Sequence, residues 1–150
     1  MATGVDTETA QRLRMAVGQL SRRLRPTEAG FAADLTPTRV AVLLNTVRNG
    51  PIRLAEVAEQ EGLNPTLLSR TVANLAQDGL VTRTADDADR RSAWLDATPA
   101  GRELAERIRA QRTHAVQVAL EGLSAKDRSL VEAALPALEQ LAQQLHQGPR

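Results

Sequence analysis

The fold is decided by residues 54–81, LAEVAEQEGLNPTLLSRTVANLAQDGLV. Two short amphipathic helices are predicted here, because apolar residues recur at helical spacing on both sides of Gly62. Glycine can adopt the left-handed conformation that ends a helix, and Asn64 followed by Pro65 is typical of an N-cap and a first helical position. Two helices joined by such a short turn form a helix-turn-helix.

A β-hairpin is predicted directly after this motif. Residues 80–84 favour a strand, and residues 92–97 alternate between polar and apolar side chains, the period of a strand. The polar sequence DDADRR, residues 86–91, lies between them and forms the predicted turn. A hairpin in this position is a wing, so residues 36–97 are predicted to form a winged helix-turn-helix.

Further helices flank this region. The first is predicted from Thr7 to Arg25, and residues 26–34 are a predicted connection to a helix that starts at Thr36-Pro37 and stops before Gly50. Residues 52–54 are short and are compatible with a strand that enters the first helix of the motif. Thr98-Pro99 starts a long helix to about residue 122, and Ser124 with Asp127 resembles a capping box for the last helix. The prediction is one domain over residues 1–150, mainly α with a small β-wing: six helices plus a β-hairpin.

The first and last helices carry narrow apolar seams. Apolar residues recur there at alternating steps of three and four, which is the spacing of a coiled coil. The seam residues proposed for a dimer interface are Leu13, Val17, Leu20 and Leu24 in the first helix and Val131, Leu138, Leu141 and Leu145 in the last. The alternative is that the seams pack within one chain as a small bundle. The pattern favours a homodimer.

The chain resembles the MarR (multiple antibiotic resistance regulator) family over roughly residues 7–147. The similarity is carried by two stretches: Leu54–Ala58 with Asn64–Arg70, Leu75 and Gly79–Val81, then Asp89–Ser92 with Thr98–Gly101. The resemblance implies an intertwined homodimer in which residues 7–25 and 99–147 are dimerisation helices. It also implies a transcriptional regulator, most often a repressor, that binds an inverted repeat in double-stranded DNA and is released by a small, often aromatic molecule. The sequence does not identify the residues that would bind that molecule.

The second helix of the motif supplies the candidate base-reading residues. Leu68, Val72 and Leu75 form its buried stripe, so the opposite face points away from the core. That face carries Thr66, Ser69, Arg70, Ala73 and Asn74. An arginine near the helix N-terminus can donate two hydrogen bonds to guanine in the major groove. The alternative is an ordinary solvated arginine. Leu67 is either half-buried or available to thymine methyl groups.

The resemblance also implies roles for the wing. It places Arg91 in the minor groove, with Asp89 orienting Arg91 through an ion pair and Arg90 contacting phosphate. The alternative is a polar turn that serves only solubility. Ala73-Asn74 departs from the Asp-Arg pair that relatives often carry, which removes one phosphate-binding charge.

Composition excludes several other classes of protein. The chain has no cysteine, which excludes disulfides and thiol redox sensing. Its only histidines, His114 and His146, are too far apart in sequence to form a helical metal-binding pair. No nucleophile–base pair, glycine-rich phosphate loop or long apolar segment is visible. We therefore predict a cytoplasmic protein that is not an enzyme and has no metal, cofactor or catalytic residue.

The charge of the predicted DNA-binding region argues against DNA binding. Residues 51–97 contain five arginines and eight acidic residues, a net charge of −3. Recognition of DNA would therefore rest on a few placed arginines, with Arg48 and Arg53 as further candidates near the DNA backbone. The alternative function is a protein-interaction module that keeps a winged-helix fold without binding DNA.

Overall fold

The computed structural model describes residues 6–89 and 92–146, which form seven helices and three strands. The helices are α1 (Thr7–Leu24), α2 (Glu28–Ala32), α3 (Pro37–Asn49), α4 (Leu54–Glu61), α5 (Pro65–Gln77), α6 (Pro99–Glu121) and α7 (Ala125–His146). The strands are β1 (Ile52–Arg53), β2 (Val81–Ala85) and β3 (Ala93–Ala97). The predicted fold class, mainly α with a β-wing, is confirmed. No helix in these residues is long and apolar enough to cross a membrane.

Two elements differ from the sequence-based prediction of six helices and a hairpin. The predicted connection over residues 26–34 contains α2, a helix of five residues that begins after Thr27. A helix this short has no periodicity to detect, and its central Gly30 disfavours helix formation. The short strand suggested over residues 52–54 forms as β1, and it joins the hairpin, so the wing is a three-stranded sheet.

The chain divides into two compact units, residues 1–112 and 113–150. The first unit contains a single cluster of buried apolar side chains. Its fully covered members come from α3, α4, α5, β3 and α6: Val42, Leu43, Val57, Leu75, Leu95 and Ile108. With one Phe and one Trp in the whole sequence, this core is built from Leu, Val and Ile.

The sheet has the strand order β1-β3-β2, and both pairings are antiparallel. Leu95 in the central strand faces Ile52 of β1 and Arg83 of β2 in register. Ala93, Leu95 and Ala97 are all buried, which confirms the alternation that predicted this strand. The hairpin is therefore anchored to the core through one face of β3.

A close junction joins the start of α6 to the start of β2. The Thr98 hydroxyl donates to the Gly79 carbonyl oxygen at 2.6 Å and accepts from the Gly101 amide at 3.0 Å. The Thr98 amide donates to the Leu80 carbonyl oxygen at 3.1 Å. Gly101 is buried against Leu80, with no room for a side chain. The Thr-Pro-Ala-Gly sequence thus couples α6 to residues 79 and 80, which connect α5 to β2.

Helix α1 belongs to the first unit and buries none of its residues fully. Asp6 caps it by accepting from the Glu8 amide at 3.3 Å. Of its proposed interface residues, Leu13 and Leu24 are half-buried, whereas Val17 and Leu20 are 53% and 62% exposed.

The second unit contains the end of α6 and all of α7. Ser124 caps α7: its hydroxyl accepts from the Asp127 amide at 3.1 Å and donates to the Asp127 carboxylate at 2.7 Å. The helix continues through Pro136. None of the side chains described in residues 113–145 is buried. The proposed interface residues of α7 are all exposed: Val131, Leu138, Leu141 and Leu145.

Candidate nucleic-acid interface

Local signals define the start of α5, the second helix of the helix-turn-helix. Gly62 has a φ of 63°, which turns the chain out of α4, and the Asn64 side chain accepts from the Leu67 amide at 2.8 Å. Leu68, Val72 and Leu75 are buried, as the sequence predicted. The buried stripe also includes Thr71, whose hydroxyl donates to the Leu67 carbonyl oxygen at 2.8 Å.

The opposite face of α5 is accessible. Thr66, Ser69 and Arg70 are exposed, and Asn74 is half-buried. Arg70 makes no hydrogen bond, ion pair or ring contact with any residue that the structure describes, so its guanidinium is available to an external acceptor. Leu67 is 41% exposed on the same helix, more accessible than a half-buried core position.

The wing turn begins at Asp86. Its amide donates to the Ser92 carbonyl oxygen at 3.2 Å, and the Ser92 amide donates to the Asp89 carbonyl oxygen at 2.9 Å. The Asp89 side chain is exposed. The other two wing residues predicted to contact DNA, Arg90 and Arg91, lie outside the described residues.

Three side chains form a contact cluster at the base of the wing, which we call the wing clamp: Arg53, Asp86 and Trp94. The Arg53 guanidinium lies 5.1 Å from the centre of the Trp94 ring and 3.2 Å from the Asp86 carboxylate. Arg53 and Trp94 are direct partners in the β1–β3 pairing. The clamp was not predicted from the sequence, which suggested Arg53 as a residue near the DNA backbone, because a strand of two residues does not indicate its partner strand.

A cleft of about 380 Å³ separates α5 from the wing. Ser69 of α5 and Arg83 of β2 both line it, as do Arg53 and Asp89. The exposed face of α5 and the wing turn therefore border one continuous concave surface. The side chains that could meet a nucleic acid are Thr66, Ser69, Arg70, Asn74, Arg83 and Asp89.

A separate cavity of about 490 Å³ lies between α1, α3 and α6, and we call it the Arg112 cavity. Its lining includes Leu24, Arg25, Pro37, Glu61, Leu63 and Arg112. Burial, with a contribution from the nearby Arg25, lowers the pKa of Arg112. Arg112 donates to the Arg25 carbonyl oxygen at 3.4 Å, while its Nε has no acceptor among the described residues. The cavity is therefore lined by a half-buried cation, one of whose donors, Nε, is unpaired within the described residues and shielded from solvent.

Glu61 connects this cavity to the helix-turn-helix. Its carboxylate accepts from the Asn45 side-chain amide at 2.7 Å, and the same amide donates to Gln60 at 2.9 Å. The buried Asn45 oxygen accepts from Asn49 at 3.1 Å. Glu61 and Leu63 flank the left-handed Gly62, so the cavity wall includes both neighbours of the turn before α5.

The chain is similar to known regulators in sequence and in fold. A family model described as the MarR family matches residues 33–92. An HTH-type transcriptional regulator of Mycobacterium tuberculosis is 26% identical over 129 residues, which cover 86% of this chain and 89% of that protein. The uncharacterized HTH-type transcriptional regulator YwhA of Bacillus subtilis is 24% identical over 113 residues, or 75% of this chain and 81% of YwhA.

Solved structures share the fold. The crystal structure of MarR has a TM-score of 0.75 at 22% identity and covers 88% of this chain and 98% of MarR. FabT of Streptococcus pneumoniae, crystallised in complex with DNA, has a TM-score of 0.68 at 16% identity, with 91% and 99% covered. NadR, in complex with 4-hydroxyphenylacetate, has a TM-score of 0.64 at 22% identity, with 92% and 96% covered.

These relatives indicate a DNA-binding regulator rather than an enzyme. The family model, the sequence relatives and the solved structures point to one likeness: the chain is similar to winged-helix transcriptional regulators of the MarR family, and it shares their fold.

Proposed function

We propose that this protein is a sequence-specific repressor that binds an inverted-repeat operator as a homodimer and releases it when a small molecule binds. The observation that carries the proposal is the exposed N-terminal face of α5, where Arg70 has no partner among the described residues and faces away from a fully buried stripe. A helix that presents such a face beside a wing fits the major groove of DNA.

In this proposal, Arg70 reads a guanine and the remaining α5 residues fix the register. Thr66 and Ser69 lie in the first turns, where hydroxyl groups and the helix N-terminus attract phosphate oxygens. Asn74 lies one turn further along the same face. The wing residues Asp89, Arg90 and Arg91 are assigned to the minor groove by their similarity to the family, and an arginine there favours narrow A/T-rich flanks.

The dimer is proposed from the two apolar seams. The seam of α1 leaves Val17 and Leu20 largely exposed, and α7 leaves all four of its proposed interface residues exposed. Burial of one Leu or Val contributes about 1.5–3 kcal/mol, so helices with this pattern are strongly favoured to pair with a second copy. We assign residues 7–25 and 99–147 to dimerisation and residues 36–97 to DNA binding.

The Arg112 cavity is the proposed effector site. Two arginines, Arg25 and the half-buried Arg112, line it and favour a ligand that carries a carboxylate, because arginine binds carboxylates through paired hydrogen bonds. The bound NadR ligand, 4-hydroxyphenylacetate, belongs to this chemical class. A ligand in contact with Glu61 and Leu63 would act directly on the turn that orients α5.

Random-sequence selection with the purified protein tests the DNA-binding proposal. We expect enrichment of a duplex with two related half-sites about one helical turn apart. Footprinting on that duplex should give one protected region with two halves. Absence of any enriched sequence would refute the proposal and support the alternative, a protein-interaction module. The net charge of −3 over residues 51–97 is the observation that favours this alternative.

Ligand-induced release of the selected duplex tests the effector site. A panel of aromatic carboxylates is titrated into the complex, and Arg112→Met is expected to abolish the response to any carboxylate that releases DNA from the parent protein. Arg109→Met is the matched control, since Arg109 is on the same helix but is paired with Glu106 at 2.8 Å. Equal responses of the two variants would exclude Arg112 as a ligand contact.

A further inference from the structure

Asp86 has two separate contacts, one for each carboxylate oxygen. Oδ1 accepts from the Ala88 amide at 3.0 Å and so shapes the wing turn. Oδ2 lies 3.2 Å from the Arg53 guanidinium. The Asp86 side chain is only 8% exposed, which is unusual for a carboxylate in a surface turn. One residue therefore links the turn of the wing to the strand that precedes α4.

Arg53 is held from two directions. Its guanidinium lies over the Trp94 ring, within the distance of a cation–π contact, and its charge is paired with Asp86. Its own amide donates to the Glu56 carboxylate at 3.3 Å, so the residue also begins α4. A guanidinium engaged in this way is poorly placed to act as a free cation toward phosphate.

We propose that Arg53 and Asp86 are positioning residues for DNA binding: the wing clamp fixes the wing relative to the helix-turn-helix before DNA arrives. This inference rests on the proposed DNA-binding function and adds a requirement to it. The wing turn must be held because its arginines have to enter the minor groove while α5 occupies the major groove. A preformed wing avoids the entropic cost of ordering it during binding.

For the DNA affinity of an Asp86 variant, the positioning role and simple electrostatics predict opposite changes. Asp86 is a negative charge on the surface proposed to face DNA, so its removal should strengthen binding if charge alone matters. If the clamp matters, Asp86→Asn should weaken binding, because neutral asparagine removes the charge that pairs with the Arg53 guanidinium. We expect a loss of about fivefold, the upper end for a partly exposed ion pair.

Asp87→Asn is the matched control. Asp87 is adjacent in sequence, exposed, and of the same charge, but it makes no contact with Arg53. Both variants are measured against the best duplex from random-sequence selection by fluorescence anisotropy over a series of salt concentrations. The clamp predicts weaker binding for Asp86→Asn and equal or tighter binding for Asp87→Asn.

Arg53→Lys provides an independent variant, which also carries the test if Asp86→Asn does not fold. Lysine preserves the positive charge but lacks the planar fork that spans Trp94 and Asp86. A phosphate-binding Arg53 would tolerate lysine, and Arg53→Gln would then flatten the salt dependence by about one log–log unit. A positioning Arg53 loses similar affinity with lysine and glutamine, at an unchanged salt slope.

Trp94 reports on the clamp without DNA, since it is the only tryptophan in the chain. Its fluorescence should change in Arg53→Gln and Asp86→Asn and stay as in the parent protein in Asp87→Asn. If Asp86→Asn binds the duplex as tightly as Asp87→Asn, the clamp inference is overturned while the regulator remains. If the parent protein binds no duplex, the proposed function fails and the inference falls with it.

Discussion

Replacement of Gly101 by alanine tests the junction between α6 and β2. A Cβ at this position would press on the Leu80 carbonyl oxygen, lie 2.9 Å from the Leu80 carbonyl carbon and lie 3.3 Å from Leu43 Cδ1. The nearest atoms belong to the backbone, so they cannot swing aside as the end of a flexible side chain can. Helix α6 must therefore move away from β2.

The magnitude follows from two opposing effects. Overpacking costs ~1–3 kcal/mol, and a clash with backbone puts this change at about 3 kcal/mol. Alanine in place of glycine in a helix recovers about 1 kcal/mol. The free energy of unfolding should fall by about 2 kcal/mol, which is roughly 30-fold in the unfolding equilibrium constant. For a chain of this size, the melting temperature should drop by about 4–8 °C.

Thermal and urea unfolding followed by circular dichroism measure this change. All proteins are compared at one concentration, since a dimer's stability depends on it. Gly18→Ala in α1 is the matched control, because its Cβ would meet only the flexible end of Arg22 at 3.4 Å. That variant should be as stable as the parent protein or up to about 1 kcal/mol more stable. A Gly101→Ala protein that unfolds with the parent's midpoint would refute the close packing.

Three other changes test the DNA-binding face, the dimer and the polar contacts of α4. Arg70→Ala should cost ~1–3 kcal/mol on the best duplex and relax the preference at one base pair per half-site, and equal discrimination by both proteins would remove Arg70 as a base reader. Deletion of residues 124–150 should leave monomer or aggregate in analytical ultracentrifugation, and a compact dimer would contradict the proposed assembly. Asn45→Ala should lower the free energy of unfolding by about 1–3 kcal/mol, because it removes the amide that joins α3 to Glu61, and an unchanged urea midpoint would count against that network.

Sequence predicted those parts of the fold that depend on local signals. Asn64-Pro65 and Thr98-Pro99 each place a capping side chain before a proline, and both helices start there. The buried stripe of α5 follows directly from helical spacing. The same periodicity identified the exposed face with Thr66, Ser69 and Arg70, because only two faces were available once Leu68 and Val72 were assigned to the core.

The features that escaped prediction depend on contacts between distant segments. The wing clamp needs β1 to pair with β3, and a strand of two residues does not indicate which strand it pairs with. The Arg112 cavity needs Arg25 and Arg112 to meet, although 87 positions separate them. Periodicity describes one element at a time, so it does not report which side chains of different elements share a cavity.

The aspartates of the wing turn affect how strongly the protein binds DNA of unrelated sequence. Asp86, Asp87 and Asp89 occupy one turn, within a region of net charge −3. Non-specific affinity for DNA comes mainly from cations that neutralise phosphates. A region with this net charge therefore has little affinity for unrelated sequences. A genome offers about 10⁶–10⁹ such sites, and occupancy of an operator depends on the ratio of specific to non-specific affinity. Under the proposed function, weak attraction to bulk DNA keeps more molecules free, so a small number of copies would be enough to occupy a single operator.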